Sequence, residues 1–278
     1  MFSNAMSFKA KIKNIAQEKG ISPQQVQQHY LIEEVLNLIS KSSYSNLFIV
    51  KGGYLIGQMI GLDKRTTMDL DVTLKGTSLN RENLINIFEE IISNTTSVFS
   101  FTVDKLEPIR QDDIYGGFSI KLNATFDTLN EVIFIDVTTG DKITPRETSY
   151  SMPSLFTNHT IDVWTYNLET VLAEKLETII SRGVASTRPR DRYDLFVLFK
   201  LRKNQIDFKT LKRALENTSE KRNSKELIKN WKEQVRGIET SDYQKNLWIR
   251  YQRQFKYAKD ISFEESVQII NEIMKQII

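Results

Sequence analysis

The chain has 278 residues, 40% apolar and 26% charged, with a net charge of +3. That is enough for two modest domains with cores of their own, and too near neutrality for bulk charge to argue a nucleic-acid partner. Cysteine is absent and the histidines are His29 and His159 alone, which excludes disulfides and thiolate metal sites and leaves a zinc centre almost no ligands; any metal must be held by oxygen, as Mg²⁺ or Mn²⁺ is.

The tripeptide Ser3 to Ala5 reads as an expression scar, so the fold reading starts at residue 6. Ser22 to Ser40 is a predicted helix. Ser22 caps it, Pro23 takes its first position, and Val26, Tyr30, Leu31, Val35, Leu38 and Ile39 form one stripe. Leu47 to Val50 is a short buried strand, and a helix from about Gly53 to Gly61 follows. Met68 to Leu74 alternates, with Met68, Leu70, Val72 and Leu74 on one face and Thr67, Asp69, Asp71 and Thr73 on the other. Asn80 to Ser93 is a capped helix; Val98 to Leu106, Gly117 to Ala124 and Val132 to Thr138 are strands. The stretch Pro145 to Tyr166 is a boundary, and from Asn167 onward the pattern is helical. The expected domains are 6–166 and 167–278. No apolar run approaches the ~18 residues of a membrane span. The N-terminus has no signal-peptide core, so a cytoplasmic protein with no membrane partner is expected, and the N-x-S/T triplets at Asn94, Asn123, Asn158 and Asn217 are chance matches.

Two features ask for chemistry rather than packing. Asp69 and Asp71 are two apart on one strand, so both project to one face with Cα atoms ~7 Å apart, able to grip cations between them. Two bare carboxylates repel and need a counter-charge, whereas an edge strand with solvated acids would need nothing. Asp136, ending the run "VIFIDV", is paired, metal-bound or at a solvated strand end. Gly52-Gly53 sits between a strand and a helix, where bare backbone amides and the helix dipole can meet a phosphate, and Lys51 beside it can offset the charge. The loop is not a Walker A motif, because Gly57 is followed by Gln58-Met59.

Lys51 to Gly53 ("KGG") together with Arg65 to Asp71 ("RTTMDLD") resembles the AbiEii/AbiGii-type nucleotidyltransferase toxins of the polymerase-β-like superfamily. The later segments "LETVLAEKLETIISR" and "RPRDRYDLFVLF" fit the same family, and the resemblance runs in motif order from Leu47 to Leu201. It implies an α+β fold: a polymerase-β-like nucleotidyltransferase domain with a mixed sheet, followed by a C-terminal helical bundle. It implies a toxin of a toxin–antitoxin or abortive-infection system, transferring a nucleotide from an NTP with Mg²⁺ or Mn²⁺, with tRNA or another RNA as acceptor and a cognate antitoxin as partner. The implied catalytic residues are Asp69, Asp71, Asp136, Lys175, Asp191 and Asp194, the first three as metal ligands. The implied nucleotide-binding residues are Lys51, Gly52, Gly53, Arg65, Thr67, Lys175 and Arg182. The sequence departs from the pattern in its Gly-Gly turn, where polymerase-β-like enzymes often have Gly-Ser.

Read from the residues alone, Lys175 and Arg182 are seven apart and share a helix face, set to reach a triphosphate or to stand solvated beside Glu174 and Glu177. Asp191 and Asp194, in the first turn after Pro189, also suit a helix dipole. Near the C-terminus Trp248, Tyr251, Phe255 and Tyr257 interleave with Arg250, Arg253, Lys256 and Lys259. That mixture serves base stacking with phosphate contact, or the core edge of an amphipathic helix. Two other functions remain open: a small-molecule nucleotidyltransferase of the antibiotic-modifying kind, and a binding module whose acids are only structural.

Overall fold

The computed structural model describes residues 2–93, 97–109 and 116–278; Asn94 lies outside them. The chain divides into two compact units: Met1–Asp141 with Thr148–Thr165, and Lys142–Glu147 with Tyr166–Ile278.

The first unit begins with helix α1 (Ala5–Lys19), started by a reciprocal cap between Asn4 and Ser7 and stopped by Gly20 at φ 65°. The segment left out of the sequence reading joins the core here: Phe2 and Ala5 are buried, and Phe2 packs edge-on against Phe8 at 4.9 Å. Helix α2 (Pro23–Lys41) opens as its sequence predicts, with Ser22 and Gln25 capping each other and Pro23 in the first turn.

Then follow β1 (Phe48–Lys51), α3 (Gly52–Ile60), β2 (Asp69–Leu74), α4 (Arg81–Ser93), β3 (Ser100–Ile109), β4 (Gly117–Phe126), β5 (Leu129–Thr139), β6 (Thr148–Pro153) and β7 (Thr160–Thr165). The strands form one sheet in the order β3-β4-β5-β2-β1-β7-β6. The pairs β1/β7 and β2/β5 are parallel and the rest antiparallel, so the sheet is mixed. Strands β6 and β7 occupy the stretch read from sequence as a boundary. They are short, six residues each, and their alternation is carried by single pairs, Tyr150 with Met152 and Ile161 with Val163.

One face of the central strands is apolar. Val50, Leu70, Val72, Ile120, Ile135 and Val137 are each at most 1% exposed. Burying such side chains contributes roughly 1.5–3 kcal/mol apiece relative to exposure, which fixes strand register, since a one-residue slip would turn this face to water. Helix α2 packs against β2, β5 and β7, and α4 against β3. Met68, expected on the apolar face, instead precedes β2 and is 40% exposed.

The second unit is helical: α5 (Leu168–Arg182), α6 (Pro189–Arg202), α7 (Phe208–Lys221), α8 (Lys225–Lys229), α9 (Trp231–Glu239), α10 (Asp242–Gln254) and α11 (Phe263–Ile277). Helix α5 packs on α6 and α7, and α11 on α6, α7 and α9. The aromatic residues of the C-terminal run belong mainly to this core. Trp248 and Tyr251 are buried, the Trp248 indole N–H donates to the Ile261 carbonyl at 3.0 Å, and Tyr251, Phe255 and Tyr257 pack on one another. Their basic neighbours Arg250, Arg253, Lys256 and Lys259 are exposed. Arg192 is buried between the rings of Trp248 and Phe263, with its guanidinium donating to the Gln244 side chain at 2.6 Å. Burial lowers its pKa to about 10.

Candidate active site

The polar face of the sheet carries the three candidate carboxylates of the first unit. Asp71 stands in register with Asp136 across the parallel pair β2/β5, and with Lys51 across the antiparallel pair β1/β2; Asp136 in turn faces Ser119 on β4. One row across four strands therefore reads Ser119, Asp136, Asp71, Lys51. The next row holds Lys121, Phe134 and Asp69. Adjacent strands are about 4.8 Å apart, so Asp71 and Asp136 are near neighbours although 65 positions separate them in the chain.

Hydroxyl groups orient two of these acids. Ser119 donates to Asp136 Oδ1 at 2.6 Å, and Thr67 donates to Asp69 Oδ1. With their carboxylates turned to those hydroxyls, the three acids share a face without closing into one cluster; among the described residues no group of three such side chains gathers at metal-ligand spacing. The donor set nonetheless fits a hard divalent cation. It is all oxygen, half-buried, and adjacent like charges on a low-dielectric sheet favour a positive ion between them.

The Gly-Gly turn is explained by what it touches. Gly52 has φ 66°, and a Cβ there would lie 2.0 Å from Asp71 Oδ2. Any side chain would displace that carboxylate, so the turn backbone and Asp71 are packed directly together. A Cβ on Gly53 would lie 2.8 Å from an Arg65 guanidinium nitrogen and 3.0 Å from the Thr67 hydroxyl. The space beside the turn thus belongs to Arg65 and Thr67, both buried, with Arg65 also donating to the Thr66 carbonyl. Helix α3 has no side-chain cap and no acid in its first turn, so the positive end of its dipole faces this turn without a capping group.

Lys51 is not poised in solvent. Its ammonium is buried, donates to the Thr138 hydroxyl and pairs with Asp141, which also accepts from Thr73. Sequence reading missed Thr138 and Ser119, which reach the site through sheet register that no local pattern encodes, and Asp141, which follows the end of β5.

The remaining candidates form a separate cluster inside the helical unit. Lys175 on α5 donates to Asp191 at 2.6 Å and Asp194 at 2.8 Å on α6, and both acids are at most 2% exposed. Asp191 lies in the first turn of α6, but Asp194 lies a turn further on, and that spacing aims both at one ammonium. Burial pushes the pKa of Asp191 up, but Lys175 and Arg188 outweigh it and hold the group below the usual carboxylate range. Arg188 reaches Asp191 Oδ2 at 3.2 Å, a charge contact without a hydrogen bond. Arg182 ends α5 and is exposed. Glu177 is buried and pairs with Arg222 at 2.6 Å.

Residues 34–269 match the model of a family described as nucleotidyl transferase AbiEii toxin, type IV TA system. Among curated proteins none matches. A Helicobacter pylori structure titled as a candidate nucleotidyltransferase shares 14% identity over 92% of this chain and 97% of its own, with a TM-score of 0.50, which supports the fold alone. The chain also matches the JHP933 protein of H. pylori (14% identity, 92% and 94% coverage, TM-score 0.49) and an antigenic nucleotidyltransferase-like protein of Paracoccidioides brasiliensis (18%, 72% and 93%, 0.39).

Proposed function

Because this chain belongs to the AbiEii nucleotidyl transferase toxin family, and is a nucleotidyltransferase by that membership, we propose that its polar sheet face transfers a nucleotide from an NTP to an RNA acceptor with a divalent cation. In the reaction an acceptor hydroxyl oxygen attacks the α-phosphorus. The new P–O bond forms as the bond to the β-phosphate bridging oxygen breaks, pyrophosphate leaves, and the hydroxyl proton is lost. Asp69, Asp71 and Asp136 would hold Mg²⁺ or Mn²⁺, which supplies charge stabilisation at the attacking and leaving oxygens. Asp136, steadied by Ser119, orients the attacking hydroxyl. The Gly52-Gly53 backbone and the start of α3 receive the phosphates, and Arg65 and Thr67 beside that turn offset and bind their charge. Lys51, engaged with Asp141, positions the turn. Within the helical unit, Lys175 paired with Asp191 and Asp194 joins α5 to α6.

The observation that carries this reading is the register of Asp71 with Asp136, together with the contact of Asp71 on the Gly52 turn. It brings two acids of distant sequence beside a backbone suited to phosphate. The type IV toxin family supports a cognate antitoxin as partner, and among the described residues no helix is long and apolar enough to cross a membrane. The test is incubation with each α-labelled NTP, with total RNA or with small alcohols and amines, with and without Mg²⁺. Label entering RNA only with the cation supports the proposal. Label entering only small molecules overturns the RNA acceptor, and cation-independent transfer overturns the metal role.

A further inference from the structure

Phe134 is an anomaly on the polar face. It is 47% exposed, while its strand neighbours Ile133 and Ile135 are fully buried. The alternation of β5 turns it to the same face as Asp136, two residues on, and its register partners are Asp69 on β2 and Lys121 on β4. A large ring therefore stands in water among a carboxylate, a hydroxyl-bearing strand and a lysine. It has a definite side. The phosphate turn follows β1, beyond β2 in the sheet order, whereas Phe134 and Lys121 lie on β5 and β4. In-line transfer needs the attacking and leaving groups on opposite sides of the phosphorus. With pyrophosphate on the β1 side of the acids, the acceptor must approach over β5 and β4.

We propose that Phe134 is a stacking platform for an unpaired base at the acceptor end of a single-stranded RNA. This rests on the nucleotidyltransferase reading above and names its acceptor subsite. An exposed ring receives any base face, and a base stacked there sets the adjoining sugar hydroxyl beside Asp136. Lys121 flanks the ring at the position of the next phosphate. It is ion-paired with Asp104 at the surface and about one-third exposed, a pair that an incoming phosphate can exchange. The ring distinguishes the acceptor by aromatic surface rather than by sequence.

The test uses a fluorescein-labelled single-stranded octaribonucleotide and the same strand with an abasic 3′-terminal nucleotide, with binding read by anisotropy. In parallel, the affinity of a non-hydrolysable α,β-methylene NTP is measured in Mg²⁺. The wild type should prefer the intact strand by about tenfold, the range of one stacked base being roughly 5- to 150-fold. Phe134→Leu, which keeps apolar bulk, and Phe134→Ala should both erase that preference, and Phe134→Tyr should keep it. The NTP analogue should bind all four proteins alike, and equal melting temperatures would confirm intact folding. Equal binding of both strands by the wild type overturns the proposal, as does a preference that survives in Phe134→Leu. A loss of NTP-analogue affinity in Phe134→Leu, with the strand preference unchanged, also overturns it and assigns the ring to the donor base. If RNA is labelled in an Asp71-dependent way but the terminal base has no effect, only this inference fails. If no acceptor is labelled while the strand preference holds, the transferase reading fails and the subsite stands.

Discussion

In the sheet unit, Asp69 and Asp136 rest on the hydroxyls of Thr67 and Ser119, half-buried on an open face. In the helical unit, Asp191 and Asp194 are buried against the ammonium of Lys175. The same residue type is solvated by neutral dipoles in one region and neutralised by two built-in cations, Lys175 and Arg188, in the other. The first arrangement leaves negative charge for a cation from solution. The second is electrically complete, and breaking it leaves charge in a dry interior.

This contrast predicts opposite responses to substitution. The largest expected effect is on turnover. Asp71→Asn should cost on the order of 10³-fold or more in labelling rate, because a ligand to the reacting centre is lost. Its melting temperature should hold or rise as like charges separate, and an active variant would remove Asp71 from the chemistry. Lys175→Met should act on stability instead, lowering it by about 3–5 kcal/mol in urea titrations by stranding two buried acids. If Lys175→Met leaves stability intact and removes turnover, the helical cluster is catalytic and the contrast collapses.

Gly52→Ala comes next. The left-handed backbone costs an alanine about 1 kcal/mol, and its methyl would push Asp71 aside. Activity should fall by more than that strain alone allows, which comparing melting temperature with turnover will reveal. The pH response should also differ between the units. Asp191 has a folded pKa below its unfolded value, so it contributes stability that is present above the ordinary carboxylate pKa near 4 and lost as pH falls through the lower, folded value. Acid melts of wild type against Asp191→Asn should converge below that window, and parallel curves at every pH would count against the buried ion pair. The smallest effect is expected from Ser119→Ala, about tenfold in turnover with stability lowered by roughly 1.5 kcal/mol, since one hydrogen bond to a half-buried carboxylate is removed.

Much of the first site was legible because strand alternation is a local signal. Asp69 and Asp71 were placed on one polar face by the apolar residues Leu70, Val72 and Leu74 alone. Asp136 was visible only as an acid after an apolar run, because its pairing with Asp71 depends on a parallel register between strands far apart in sequence. Lys51 was correctly seen beside the turn, but the direction of a long side chain is decided by partners such as Asp141 that lie elsewhere in the chain. Helix α1 was missed because its buried stripe is thin, Ala5, Phe8, Ile12 and Ala16 among polar residues, and β6 and β7 because each is only six residues long, with one alternating apolar pair apiece. In the helical unit, composition left the C-terminal aromatics open between core and ligand surface. Three-dimensional packing of Trp248 and Tyr251 decides for the core.

The strand β1, which carries the Gly52-Gly53 turn on its end, lies between β2 and β7, and β7 comes only at Thr160–Thr165. During synthesis β1 and β2 can pair as soon as both exist. The other edge of β1 then waits until β7 at Thr160–Thr165 has been made, exposing backbone donors and acceptors that other strands can join. The ribosome therefore releases a finished sheet only late, so premature termination before residue 160 should yield an aggregation-prone fragment rather than a small free toxin. A minimal catalytic fragment must extend through Thr165.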